Sequence, residues 1–109
     1  MLCFVIALVE EAQPIIRYFQ FRQQSCFRFR YYASDQARLI ISGTGKIASA
    51  TATALLLNSL SNHDTILVIN YGTAAAAKKR PVGTLWQINK ISDAATGKSV
   101  YPDIIWKTD

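Results

Sequence analysis

Cysteine and histidine are scarce: Cys3, Cys26 and His63 are the only ones in the chain. The two cysteines form no metal or redox spacing, and Cys3 lies within an apolar run as a small hydrophobe. His63 stands in the polar loop Ser61-Asn-His-Asp64 with no second nitrogen or sulfur ligand beside it, so no metal is expected. Charge is also sparse, at 17% of residues against 50% hydrophobic, which excludes a disordered chain. Acids are outnumbered seven to twelve by lysine and arginine, giving a net charge of +5. Those bases are scattered, however, and only Lys78-Lys79-Arg80 forms a run, just before the loop Pro81-Val82-Gly83. A solvated turn explains that run, and a nucleic-acid partner is not expected.

A long hydrophobic run is missing too. The start, Met1-Leu-Cys-Phe-Val-Ile-Ala-Leu-Val9, is apolar but far short of the roughly 20 residues a membrane helix needs. It has no basic flank, and Glu10-Glu11 follow where a signal peptidase would need small residues. A cytoplasmic protein with no membrane partner is the expectation. No repeat or low-complexity linker interrupts the 109 residues, which fit a single domain spanning 1–109.

What is present is an alternation of strand and helix signals. Residues 2–9 read as a strand buried on both faces. Glu10 to about Gln24 reads as a helix with acids in its first turn and Pro14 close to that turn, where a missing amide costs little. Ile15, Ile16 and Phe19 supply its inward face, with Tyr18 a further candidate. Cys26-Phe-Arg-Phe-Arg-Tyr-Tyr32 alternates aromatic and basic residues. One reading is a base-stacking, phosphate-binding face, and the simpler one a half-exposed strand. After the turn Ala33-Ser-Asp-Gln36, a strand from Ala37 to Ile41 completes a hairpin. Ile47 to about Leu60 reads as a helix whose small residues imply close packing on the sheet, Thr65 to Ile69 as a buried strand, and Gly83 to Ile91 as another. Ser92 to Asp109 is polar and turn-rich. A strand, glycine turn, helix and strand make a βαβ unit, so the fold class is α/β with parallel strands.

The glycine turn is Ser42-Gly43-Thr44-Gly45-Lys46. It is no phosphate-binding P-loop: Ile40 stands five positions before Gly45 where glycine is required, and Ile47 follows Lys46 where Ser or Thr would hold magnesium. Gly43-x-Gly45-x-x-Ala48 does match a relaxed dinucleotide fingerprint. The next strand, however, ends in Asn70 where that fingerprint needs an acid, so no nicotinamide cofactor is expected. Two readings stay open for the turn: backbone amides offered to an anion or hydroxyl, or tight strand-to-helix packing.

Three strand ends carry polar residues: Ala7-Leu-Val-Glu-Glu11, Ser42 to Lys46, and Asn70-Tyr-Gly-Thr-Ala-Ala-Ala76. In open α/β sheets, ligands bind beyond these carboxyl ends. Together with Val82-Gly83-Thr84, the three segments resemble, in order and separation, motifs of the nucleoside phosphorylase and nucleosidase superfamily. The methylthioadenosine/S-adenosylhomocysteine nucleosidases are the most similar branch. In that branch an apolar strand is followed by Ala-Met-Glu-Glu-Glu, then come Ser-Gly-x-Gly-Lys and Asn-Thr-Gly-Ser-Ala-Gly-Gly.

The resemblance implies a three-layer α/β/α sandwich with a mostly parallel central sheet, of which this chain matches the N-terminal half. It implies cleavage of a purine nucleoside's N-glycosidic bond by water, with no cofactor, in a homo-oligomer, by family habit a dimer. Glu11 aligns with the acid that activates the water, and Thr73, in place of the family serine, with that water's second partner. Gly43, Thr44, Gly45, Asn70, Gly72 and Ala74 align with pocket-lining positions. Water is favoured over phosphate because the first loop has no arginine, Asn70 is neutral, and Glu11 would repel a second anion. The family's ribose clamp, purine-stacking aromatic and base-protonating Asp belong to its second half. Ala75 and Ala76 stand where the family has glycines, and Tyr71 where it has a small residue. A non-catalytic nucleoside-binding or oligomerisation domain on the same scaffold is the alternative.

Overall fold

The computed structural model describes residues 1–25, 28–61, 65–76 and 79–107. The expectations for Cys26, Phe27, His63 and Lys78 therefore lie outside the described residues. The chain divides into two units, Met1–Ala74 and Ala75–Asp109.

The first unit is an α/β unit with one mixed sheet and two helices. Its elements are β1 (Leu2–Ile6), α1 (Val9–Tyr18), β2 (Arg22–Gln24), β3 (Arg30–Ala33), β4 (Ala37–Ile41), α2 (Lys46–Ser59) and β5 (Leu67–Asn70). The strand order is β2-β3-β4-β1-β5. β1 pairs in parallel with β4, Ile6 opposite Ile41, and with β5, Val5 opposite Asn70. The β2–β3 and β3–β4 pairs are antiparallel, so the expected hairpin is present and the sheet is mixed. The βαβ unit β4-α2-β5 straddles β1, which occupies the place between its two strands.

β1 reads as an unbroken apolar run because both of its faces are covered. Phe4 and Ile6 pack with Ala12 of α1, Leu39 and Tyr32, bordered by Ile15, Ile16 and Phe19. Cys3 and Val5 pack with Ala52 and Leu56 of α2, Ile40 and Tyr31. Neighbouring residues of β3 and β4 thus feed opposite clusters, as strand geometry requires. Of the alternation expected over 26–32, the described part holds: Phe29 and Tyr31 share one cluster while Arg28 and Arg30 are exposed. The strand begins at Arg30, and the consecutive Tyr31 and Tyr32 are both buried, one in each cluster.

Helix α1 departs from expectation at three points. Pro14 lies inside it, past the first turn, where it removes the hydrogen bond to the Glu10 carbonyl. Tyr18 is 81% exposed and takes no part in the core. The helix stops at Tyr18 instead of Gln24, because Gln20 adopts the left-handed conformation at φ 54°. The amides of Gln20 and Phe21 then reach back to the carbonyls of Arg17 and Ile16, at 3.2 and 3.0 Å. That pair of bonds is a Schellman cap, sealed by Phe21 and Ile16 in one apolar cluster. Arg22–Gln24, released from the helix, becomes β2.

In the second unit, Ile91–Ser92 (β6) and Ser99–Val100 (β7) form a two-stranded antiparallel sheet closed by the Asp93–Gly97 turn. The strand expected from Gly83 to Ile91 is not formed before Ile91. Leu85, Trp86 and Ile88 are each more than half exposed, and a solitary extended segment has no ladder to hold it.

Candidate functional site at the strand ends

The carboxyl ends of β4, β1 and β5 are stitched together by backbone bonds. The Ser42 and Gly43 amides donate to the carbonyls of Ile6 and Ala7 at 2.9 and 3.0 Å, and the Tyr71 amide donates to Val5 at 3.4 Å. Parallel pairing of both neighbours with β1 brings the three exit loops to one end of the sheet.

Glu11 occupies the third position of α1, where a carboxylate can reach back over the helix start. Its Oε1 accepts from the Leu8 amide at 3.2 Å. Leu8 has no side-chain oxygen with which to complete a reciprocal cap, and its amide engages only one of the two carboxylate oxygens. Oε2 accepts from both the amide and the hydroxyl of Thr73, at 2.7 and 2.8 Å. Sixty-two positions separate the two residues in sequence. Sequence reasoning expects both on the same water; the structure joins them directly. Among the described residues, protein donors fill three of the four acceptor directions of this carboxylate.

These donors favour the charged form. The Thr73 amide, then its hydroxyl, hold the Glu11 carboxyl below its ordinary value of 4.5; burial opposes them less strongly, and the Leu8 amide adds the smallest lowering effect. Glu11 is thus an ionised, positioned acceptor at neutral pH.

Gly72 explains how the β5 exit loop comes so near. A Cβ at this position would sit 3.3 Å from Glu11 Oε2, tighter than ordinary contact. Asn70, at the end of β5, donates its Nδ2 to the Val5 carbonyl at 3.0 Å, and Ala74 closes the unit as an exposed residue.

In the glycine turn, Gly43 and Gly45 have φ of +79° and +102°, and a Cβ on either would meet no atom within 4 Å. Backbone conformation, not crowding, is therefore what calls for glycine here. Gly45 is the N-cap of α2 without a side-chain cap, Thr44 is exposed, and Ser42 is buried with its hydroxyl donating to the Gly43 carbonyl at 2.8 Å. Sequence reasoning missed one participant, the Leu8 amide, whose signal is its three-residue spacing from Glu11; Gly72 was expected to line the pocket, but not to approach the Glu11 carboxylate.

The basic residues weighed as a nucleic-acid face belong to other segments of the chain. Arg28 and Arg30 are exposed on the first unit. In the second, the Arg80 guanidinium lies 5.2 Å from the Trp86 ring centroid. Among the described residues, no cluster of His, Cys, Asp and Glu could hold a metal ion, and no helix is long and apolar enough to cross a membrane.

Compared with known proteins, the chain matches no family model, no curated protein and no solved structure.

Proposed function

We propose that the chain carries the water side of a purine nucleoside N-ribosyl hydrolase site, of the kind that acts on methylthioadenosine or S-adenosylhomocysteine. The observation that carries this reading is the Glu11 carboxylate held by both donors of Thr73, at the end of the sheet where the glycine turn also leaves. Glu11 orients a water through the acceptor direction its protein donors leave on Oε1. As the C1′–N bond breaks and its electron pair goes to the purine, positive charge grows on the ribose. An ionised carboxylate alongside stabilises that charge and takes the proton of the attacking water. Protonation of the leaving base falls to the acid that the resemblance puts in the family's second half. Gly43, Thr44, Gly45, Asn70, Gly72 and Ala74 line the nucleoside side in this reading.

The finer architecture belongs to the same proposal. With α1 and α2 in clusters formed by alternate residues of β1, the first unit corresponds to part of a three-layer α/β/α sandwich. A cytoplasmic homo-oligomer without cofactor completes it.

The test is adenine release from methylthioadenosine and S-adenosylhomocysteine, followed by mass spectrometry, beside Glu11→Gln. With a complete second half present, release that disappears in Glu11→Gln is expected. If such a version folds and releases no adenine, the hydrolase reading fails. The alternative is then a non-catalytic nucleoside-binding domain, which the near-saturation of Glu11 by protein donors favours. Calorimetric titration with adenine nucleosides decides it, since absence of heat at millimolar ligand would exclude binding as well.

A further inference from the structure

The loop that leaves β5 is short and is held near its two ends. Among the described residues, its segment Tyr71-Gly72-Thr73 bonds to β1 through the Tyr71 amide and to α1 through both donors of Thr73. The bond to β1 is the weaker anchor. The Tyr71 amide stands 3.4 Å from the Val5 carbonyl, outside the usual range of about 2.7–3.2 Å. The β1–β5 ladder thus ends on a stretched bond, two residues before the threonine that reaches Glu11.

Asn70 reinforces that weak point. It stands opposite Val5 in the ladder, and its Nδ2 donates to the same Val5 carbonyl at 3.0 Å. Both lone pairs of the carbonyl are then engaged, one by backbone and one by side chain. The next carbonyls of β1, those of Ile6 and Ala7, accept from Ser42 and Gly43 on the β4 side, so Val5 is where β1 last holds β5. From Asn70 to Thr73 the chain advances at most about 10 Å. Within that span Gly72 passes so near that an added Cβ would lie 3.3 Å from Glu11 Oε2. A shift at the root of the loop is therefore felt where Thr73 meets the carboxylate.

We propose that Asn70 is a positioning residue for the Glu11–Thr73 pair: its side-chain amide, anchored on Val5, fixes the root of the loop and sets Thr73 against the carboxylate. Asn70 makes no bond to Glu11, whose donors are Thr73 and Leu8, so it acts through the loop. An apolar side chain of similar size has no donor for the carbonyl and leaves the stretched backbone bond to hold the root by itself. This is a role beyond the pocket-lining position that the resemblance gives Asn70. Its bearing on catalysis rests on the hydrolase reading; the placement of Thr73 does not, and is measured without substrate.

The test is NMR titration of the Glu11 carboxyl in the full chain, as wild type, Asn70→Leu, Asn70→Ala and Ile69→Val, with circular dichroism as the check on folding. In wild type the carboxyl is expected to titrate below 4.5, and the Thr73 amide proton to shift with it as its acceptor is protonated. Asn70→Leu and Asn70→Ala are expected to move the Glu11 midpoint up toward 4.5 and to shrink the Thr73 response. Ile69→Val trims the core on the same strand and is expected to leave both readings unchanged, because a loss of stability alone does not move a native-state carboxyl. Asn70 is exposed at the end of its strand, so its variants are expected to fold; where Asn70→Leu does not, Asn70→Ala decides. A Glu11 midpoint as low in the folded Asn70 variants as in wild type would overturn the proposal. So would an equal rise in Ile69→Val, which would make Asn70 one structural residue among others. Absence of adenine release ends the hydrolase reading and leaves this titration to be judged on its own.

Discussion

Glu11 joins two segments that would otherwise be independent, the start of α1 and the loop leaving β5. Three donors depend on it as acceptor, and hydrogen bonds to an ionised group contribute more than neutral ones. Glu11→Ala is expected to cost about 1–2 kcal/mol by urea unfolding at neutral pH, the lower end reflecting partial exposure to solvent. The pH dependence follows from the lowered pKa. A carboxyl whose folded pKa lies below its unfolded value stabilises the fold above the unfolded pKa, near 4.5, and loses that stabilisation as pH falls through the folded value. Stability should therefore decline below about pH 4.5 in the wild type, and this part of the decline should be absent from Glu11→Gln. Gly72→Ala tests the same contact from the other side. Its added methyl group forces the carboxylate to shift by a few tenths of an ångström, at a cost of about 1 kcal/mol, readable as a lowered Tm. The residue types of this site were legible in sequence as three polar strand ends. Their direct bonding was not, because no local pattern records that a carboxylate at position 11 meets a threonine 62 residues later.

Among the elements, α1 is where local signals and tertiary structure part. A reader of sequence looks for glycine or proline to end a helix, and finds neither from Ile15 to Gln24. The end is set instead by the aromatic cluster. Phe19 packs 5.5 Å, centroid to centroid, from both Phe4 and Phe21, and the chain must turn after Phe19 to bring Phe21 back under the helix. Gln20 bears the strain of that turn in a conformation that side chains other than glycine rarely adopt. Gln20→Gly is thus expected to stabilise the protein by about 0.5–1 kcal/mol in denaturant melts; a loss of stability would show that the cap does not govern the helix end. α2 is easier to read, since no glycine or proline interrupts it from Lys46 to its cap, Leu60. Its anchor is narrow, however, with Ala52 and Leu56 its only fully buried residues. Leu56→Ala should cost about 2–5 kcal/mol and loosen α2 before the sheet, seen as early loss of helical signal on heating.

For the whole molecule, the distribution of burial decides how stability is shared. Among the described residues, every buried one belongs to the first unit, concentrated on β1, β3, β4 and the inward sides of the helices. Among the described residues of 75–107 none is buried, and ten large apolar side chains from Val82 to Trp106 are exposed. Chains shorter than about 40 residues seldom build a core without a staple, and this segment of 35 has no cysteine to supply one. The strand signal read over Gly83 to Ile91 is a true apolar pattern with no partner strand to realise it, which is why sequence alone overstated it. Local opening should accordingly follow the unit boundary. In native-state hydrogen exchange, amides of β1 and β4 are expected to exchange slowest, at the free energy of global unfolding. Those of residues 79–107 should exchange within about a factor of ten to a hundred of an unstructured chain, with the β6–β7 turn the slowest among them. The two units report on different things. Slow exchange throughout 79–107 would mean that the apolar side chains of the second unit are covered in solution.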